Sequence, residues 1–128
     1  MSETQINNLD IRCAELGRQL ANVPVDKKNF IQEKVFNDAL AVLEGQGPYA
    51  MFLYLKAKHS EVADPISGKS LSFLKDVFHN RLDGANDILE AIKRLAENLD
   101  DLLFARDLLR MALSYARYHL KARGDGSS

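Results

Sequence analysis

Hydrophobic positions recur with helical spacing along most of the chain, most regularly in its last third. At about 100° of rotation per residue, Leu102, Leu109, Leu113, Ala116 and Leu120 gather on one side of a helix predicted over 99–123. A first helix is predicted over about 3–22, where Ile6, Leu9, Cys13, Leu16 and Leu20 step by 3, 4, 3 and 4. Two apolar positions per heptad suit packing against a neighbour in a bundle. Ser2 or Thr4 is the candidate cap, and Val23-Pro24 ends the helix, because the residue before proline avoids helical geometry.

A second helix is predicted over about 26–44, capped by Asp26. Its wide apolar face includes Phe30, Ile31, Val35, Phe36, Ala39, Leu40 and Leu43. Gly45-Gln46-Gly47 interrupts it, and Pro48 stands where a first helical turn tolerates proline. The following PYAMFLYLKAKH is apolar nearly all round, so a short helix buried on most sides is expected, with Lys56, Lys58 and His59 emerging at its end. Residues 60–69, SEVADPISGK, hold a proline and a glycine and read as the longest loop. Helices over about 70–82 and 86–98 follow, separated by the turn signal Asp83-Gly84. Asn98 or Asp100 is the candidate cap of the closing helix, which runs almost on from its predecessor across Leu99.

No alternating run is flanked by hairpin turn residues, so strands are not expected. The pattern predicts an all-α fold: one domain, 1–128, a compact bundle of five or six helices packed antiparallel in sequence order, with residues 120–128 a frayed tail. A length of 128 residues suffices to bury a core without metal or disulfide support. The 46% hydrophobic content is that of a folded domain.

Charge changes the picture in one place. The formal net charge is −1, so no overall field attracts a polyanion, and an anionic partner must be met by a local patch. Arg106, Arg110, Arg117 and Lys121 follow one another at intervals of 4, 7 and 4, which places them within an arc of about 60° beside the apolar face. Lys27, Lys28 and Lys34 form a smaller group at the start of the second helix. Cations along one ridge can follow a phosphate backbone without reading bases. They can equally be a solvated rim whose long side chains cover the core edge. Tyr115 and Tyr118 stand near enough to stack on bases, or to pack at that edge.

Catalytic constellations fall short. His59, His79 and His119 belong to separate segments and lack a second ligand at metal spacing. Asp100 and Asp101 precede the last helix, where carboxylates suit an N-terminus. Ser67-Gly68-Lys69-Ser70 lacks the upstream glycine and preceding strand of a phosphate loop and reads as a turn opening a helix. Cys13, the single cysteine, sits on the first apolar seam and is expected to be a small buried side chain. No catalytic residue, metal or cofactor is expected. The polar N-terminus lacks a signal-peptide order, and no run of ~18 to 20 apolar residues is present, which implies a cytoplasmic protein without membrane contact.

Two stretches carry a family resemblance. VFNDALAVLEGQGPYAMFLYLKAK, residues 35–58, and LLFARDLLRMALSYARYHLKA, residues 102–122, resemble the small helical subunit of type III-B CRISPR RNA-guided effector complexes, the Cmr small-subunit family, or a related type III small subunit. The likeness extends over most of residues 26–122. It implies a non-catalytic role in antiviral defence, within a ribonucleoprotein. Copies would stack in a filament beside other effector subunits and line the groove that holds the guide RNA/target RNA duplex. Arg106, Arg110, Arg117 and Lys121 would then be the leading phosphate contacts, with Lys27, Lys28 and Lys34 behind them. The alternative is a helical protein–protein adaptor or homo-oligomerising module without nucleic-acid binding, using the first helix's seam, Leu9 and Leu16 included, to hold partner helices.

Overall fold

A computed structural model describes residues 3–124, with side chains from residue 8 onward. It is all-α. Six helices follow in order: α1 (Glu3–Ala21), α2 (Glu33–Gln46), α3 (Pro48–Lys58), α4 (Ser60–Phe78), α5 (Ile88–Leu95) and α6 (Leu99–Arg123), with a 3-10 turn at His79–Leu82 between α4 and α5. Among the described residues the only extended pairing is a lone antiparallel bridge between Pro24 and Phe30. Ser2, a candidate cap, and the side chain of Ile6 lie outside the described part, and Thr4 is inside α1.

The closing helix has the bounds its periodicity predicts. The Asn98 side chain accepts a hydrogen bond from the Asp101 amide, satisfying one of the free N–H groups at the helix start. Gly124, with φ 78°, closes the other end by donating its N–H to the carbonyls of Leu120 and Lys121. Leu120 is fully buried and residues 121–123 continue the helix, so the expected frayed tail does not begin at 120. Residues 125–128 lie outside the description. Ala105, Leu108, Leu109, Ala112, Leu113, Ala116 and Leu120 form its buried face, and each leucine contributes on the order of 1.5–3 kcal/mol through removal from water.

α6 packs against α1 on one side and α2 on the other, while α3 and α4 close the far side and α5 with the 3-10 turn covers one end. Leu20, Phe36, Leu43, Met51, Leu55, Ile66, Leu74 and Leu109 meet in the shared core. Cys13 is buried there, as its place on the seam predicts.

Three further expectations are corrected. Residues 26–32 are not helical. The Asp26 carboxylate accepts the amides of Lys28 and Asn29 at 2.8 and 2.9 Å, closing a turn, and Ile31 N–H donates to the Val23 carbonyl. The same side chain that caps helices here caps a tight loop. That loop buries Val23 and Ile31 but leaves Phe30 57% exposed. Second, residues 60–69 are not a loop but the first half of α4, with Pro65 inside it and Ser67–Ser70 in mid-helix. Pro65 removes one helical hydrogen bond, but burial of Val62, Ala63, Ile66 and Ser70 on one face outweighs that loss. Third, α3 buries Met51, Phe52 and Leu55 on one face only, with Leu53 44% exposed on another.

Candidate nucleic-acid interface

The cationic stripe of α6 faces α2, and the two helices run antiparallel. Arg110 Nε pairs with the Glu44 carboxylate, Arg117 Nη1 donates to Asn37 Oδ1 at 3.1 Å, and Lys121 Nζ lies 2.9 Å from Glu33 Oε1. Glu33, Asn37 and Glu44 are spaced by 4 and 7, and Arg110, Arg117 and Lys121 by 7 and 4. The two spacings are mirror images, as an antiparallel helix pair requires. Arg110 also reaches Asp107 at 3.1 Å on its own helix. Arg106, one turn before Arg110, has its Nε buried without a hydrogen-bond partner, as does Arg117.

These partners are the residues that sequence reasoning missed, and the mirrored 4–7 and 7–4 spacing marks them only once α2 and α6 are known to pair. Glu33 matters most, because its side chain is only 11% exposed at the start of α2. A carboxylate there gains from the helix N-terminus and from the ammonium above it. Lys121 remains 59% exposed and Arg110 37% exposed, so their outer donors still reach water.

The second cationic group joins the first at one end of the bundle. Arg123 donates to Asn22 Oδ1 at 2.6 Å and to the Ala21 carbonyl at 2.9 Å, tying the end of α6 to the end of α1. The loop bearing Lys27 and Lys28 starts there, and Lys34 follows Glu33 directly. Lys27 and Lys28 are exposed and stand on a loop, not on a helix. Lys34 lies 3.0 Å from Asp38, whose other neighbour is His59 Nε2, also at 3.0 Å. The hydrogen bond from Lys34, helped by His59, holds the Asp38 carboxyl below its ordinary range, and Asp38 in turn holds the Lys34 ammonium above its own. The His59 ring thereby anchors the α3–α4 junction to α2. His79 is exposed at the end of α4 with φ 48°.

Tyr115 and Tyr118 do not lie in the cationic band. The Tyr115 hydroxyl donates to Asp10 on α1 at 3.0 Å, which raises its pKa, and Tyr118 is 59% exposed on the outer side of α6.

Among the described residues no cluster of His, Cys, Asp or Glu is arranged to hold a metal ion, and no helix is long and apolar enough to cross a membrane. What the structure defines is a helical bundle with one cation-bearing edge, partly neutralised by α2. Compared with family models, curated proteins and solved structures, the chain matches none.

Proposed function

We propose that the protein is a non-catalytic RNA-lining subunit of a type III CRISPR effector complex, acting in the cytoplasm and meeting the guide–target duplex along its cationic edge. One observation carries the reading. Lys27, Lys28 and Lys34, distant in sequence from Lys121, stand at the end of the bundle where Lys121 closes the α6 stripe, so the two groups extend one another. Pairing with α2 does not close this edge. An ammonium has three donors, and the side chains of Lys34 and Lys121 are 74% and 59% exposed. A surface pair such as Lys34–Asp38 is worth about 0–1 kcal/mol, small enough for phosphate to compete. Contacts would be to the backbone alone, and sequence would be read by guide pairing. Other effector subunits and further copies of the chain would complete the groove, as the family resemblance implies.

The test is a salt titration of duplex RNA binding by the assembled complex. Neutralising Lys27, Lys28 and Lys34 to Gln should weaken binding and flatten the slope of log affinity against log salt by up to about 0.9 per lost phosphate contact, with an unchanged helical circular dichroism spectrum. Identical slopes for the wild-type and triple-variant complexes would refute the reading.

The adaptor alternative relies on the seam of α1, where Cys13, Leu16 and Leu20 are buried inside the bundle and Leu9 is half-buried. Leu16→Asp would therefore unfold the protein instead of blocking assembly.

A further inference from the structure

The loop between α1 and α2 displays an aromatic ring that the bundle does not cover. Its two arms pair as a short antiparallel ribbon. Ile31 N–H donates to the Val23 carbonyl at 2.9 Å and Val25 N–H to the Asn29 carbonyl at 2.8 Å, and Pro24 stands opposite Phe30 between those bonds. Successive side chains of an extended arm point to opposite faces. Val23 and Ile31 are turned into the core, so Pro24 and Phe30 are turned outward together, and Phe30 is 57% exposed. The anchors of the loop are aliphatic, and its closing bonds come from the backbone and from Asp26. The Phe30 ring takes no part in them.

A single exposed hydrophobic side chain is ordinary. Two features set this one apart. The loop is closed before any partner arrives. Asp26 Oδ1 accepts the Lys28 and Asn29 amides, and Oδ2 accepts the Asn29 side-chain amide at 3.1 Å. A ring presented from such a loop is captured at little ordering cost, and both oxygens of the loop's carboxylate are already engaged. The second feature is charge. Lys27 and Lys28 form the exposed tip, and their ammonium groups have no ion-pair or hydrogen-bond partner among the described residues. In this they differ from Lys34 and Lys121, which pair with Asp38 and Glu33.

The pairing of one open ring with two unspent cations selects the occupant. A nucleotide offers both complements in one unit, a flat base for the ring and phosphate for the ammonium groups. An anionic membrane would answer the charge, but insertion requires apolar side chains gathered on one face. Val25, the other exposed apolar residue of the ribbon, alternates to the face opposite Phe30. Bases inside a duplex are covered by their neighbours, so the ring can reach only a base that is unpaired and unstacked.

We propose that the loop over residues 23–31 is a nucleotide-stacking site, where Phe30 packs on one unpaired RNA base while Lys27 and Lys28 hold the adjoining phosphates. The proposal rests on the reading of this edge as RNA-facing and adds unpaired nucleotides to what it binds. Phe30 supplies the aromatic contact that Tyr115 and Tyr118, outside the cationic band, do not. Stacking of this kind is indifferent to base identity.

The chain has no tryptophan, so Phe30→Trp installs a single fluorophore at the site. Single-stranded oligouridylate added at low salt should quench its emission, and a blunt RNA duplex of the same length should quench it far less. Phe30→Ala should weaken oligouridylate binding at least about fivefold, with an unchanged helical spectrum and an unchanged slope of log affinity against log salt. Replacing Lys27 and Lys28 by Gln should instead flatten that slope. Absence of quenching by oligouridylate, equal quenching by the duplex, or wild-type affinity in Phe30→Ala overturns the proposal. So does a blue shift with phosphatidylserine vesicles in place of any response to RNA. If the lysine variants flatten the slope while Phe30→Ala binds like the wild type, the cationic edge stands and the stacking site falls.

Discussion

α6 has two neighbours and meets them by opposite means. Toward α1 it presents Ala112, Tyr115 and Ala116 to Gly17, and a Cβ built on Gly17 would stand 2.6 Å from Tyr115 Cβ and 2.7 Å from the Ala112 carbonyl oxygen. Toward α2 it extends Arg110, Arg117 and Lys121, whose long side chains reach Glu44, Asn37 and Glu33. One contact is set by the absence of a side chain, the other by the length of several. Backbones in close contact tolerate no added volume, whereas flexible cations over a gap tolerate substitution. The two sides should therefore respond very differently to mutation.

The largest effect is expected at Gly17. Gly17→Val must push apart two helix backbones, and overpacking of this kind costs about 1–3 kcal/mol and more where nothing can yield. Since its nearest neighbours are a Cβ, a carbonyl and an amide nitrogen, the upper end applies. Urea denaturation should show the loss, and Gly17→Ala should already show part of it.

Next comes the one member of the α2 side that is not a surface pair. Lys121→Met leaves the Glu33 carboxylate nearly buried without its ammonium, a loss of about 1–3 kcal/mol. Adding Glu33→Gln should restore much of it, and the double-mutant cycle gives the coupling. If Lys121→Met proves as harmless as a surface change, the α2 contact is uniformly loose.

The close contact with α1 was not legible in the chain, and the reason is physical. Gly17 carries no hydrophobic signal, and Ala105, Ala112 and Ala116 mark the buried face weakly, so periodicity found Leu109, Leu113 and Leu120 but not what lets α1 approach. The bounds of α6 and α3 were legible because Asn98, Gly124 and Pro48 act locally. The starts of α2 and α4 were not. Asp26 offers the same acceptor to a turn as to a helix, and only the burial of Val23 and Ile31 together decides for the turn. Pro65 and Gly68 signal a break that tertiary burial of Val62, Ala63 and Ile66 overrides. Of the candidate interface, the cations were visible as a stripe. Their acceptors on α2 were hidden because mirrored spacing becomes meaningful only once the two helices are known to pair.

Cys13 probes the α1 side from within. Burial pushes its thiol from the ordinary 9.0 up to about 11, with Asp10 adding to the shift. Between those values the unfolded chain releases the proton and the folded chain keeps it. This contribution is thus fully present below pH 9 and declines as pH rises toward 11. Comparing wild type with Cys13→Ala across that range isolates it, and at neutral pH alkylation of the native thiol should proceed only through opening of the bundle. Rapid alkylation of the folded protein would mean that α1 is held far less firmly than Gly17 implies.

The smallest effects belong to the half-buried arginines of the α2 side. Arg110→Ala removes two partly solvated pairs, with Glu44 and Asp107, and should cost no more than about 1 kcal/mol. Arg117 is a sharper case. Its Nη1 donates to the exposed Asn37, while its Nε is buried with no partner. A buried donor left unsatisfied carries a desolvation penalty comparable to the gain of one hydrogen bond. Arg117→Met removes both and keeps the stem that covers the core rim. Thermal denaturation should therefore place Arg117→Met within about 0.5 kcal/mol of the wild type, the scatter of ordinary surface changes. If the same substitution weakens RNA association of the assembled complex, Arg117 is retained for its charge toward a partner and not for the fold. If it unfolds the protein, the cations of α6 are as integral to the bundle as Gly17, and the contrast between its two sides fails.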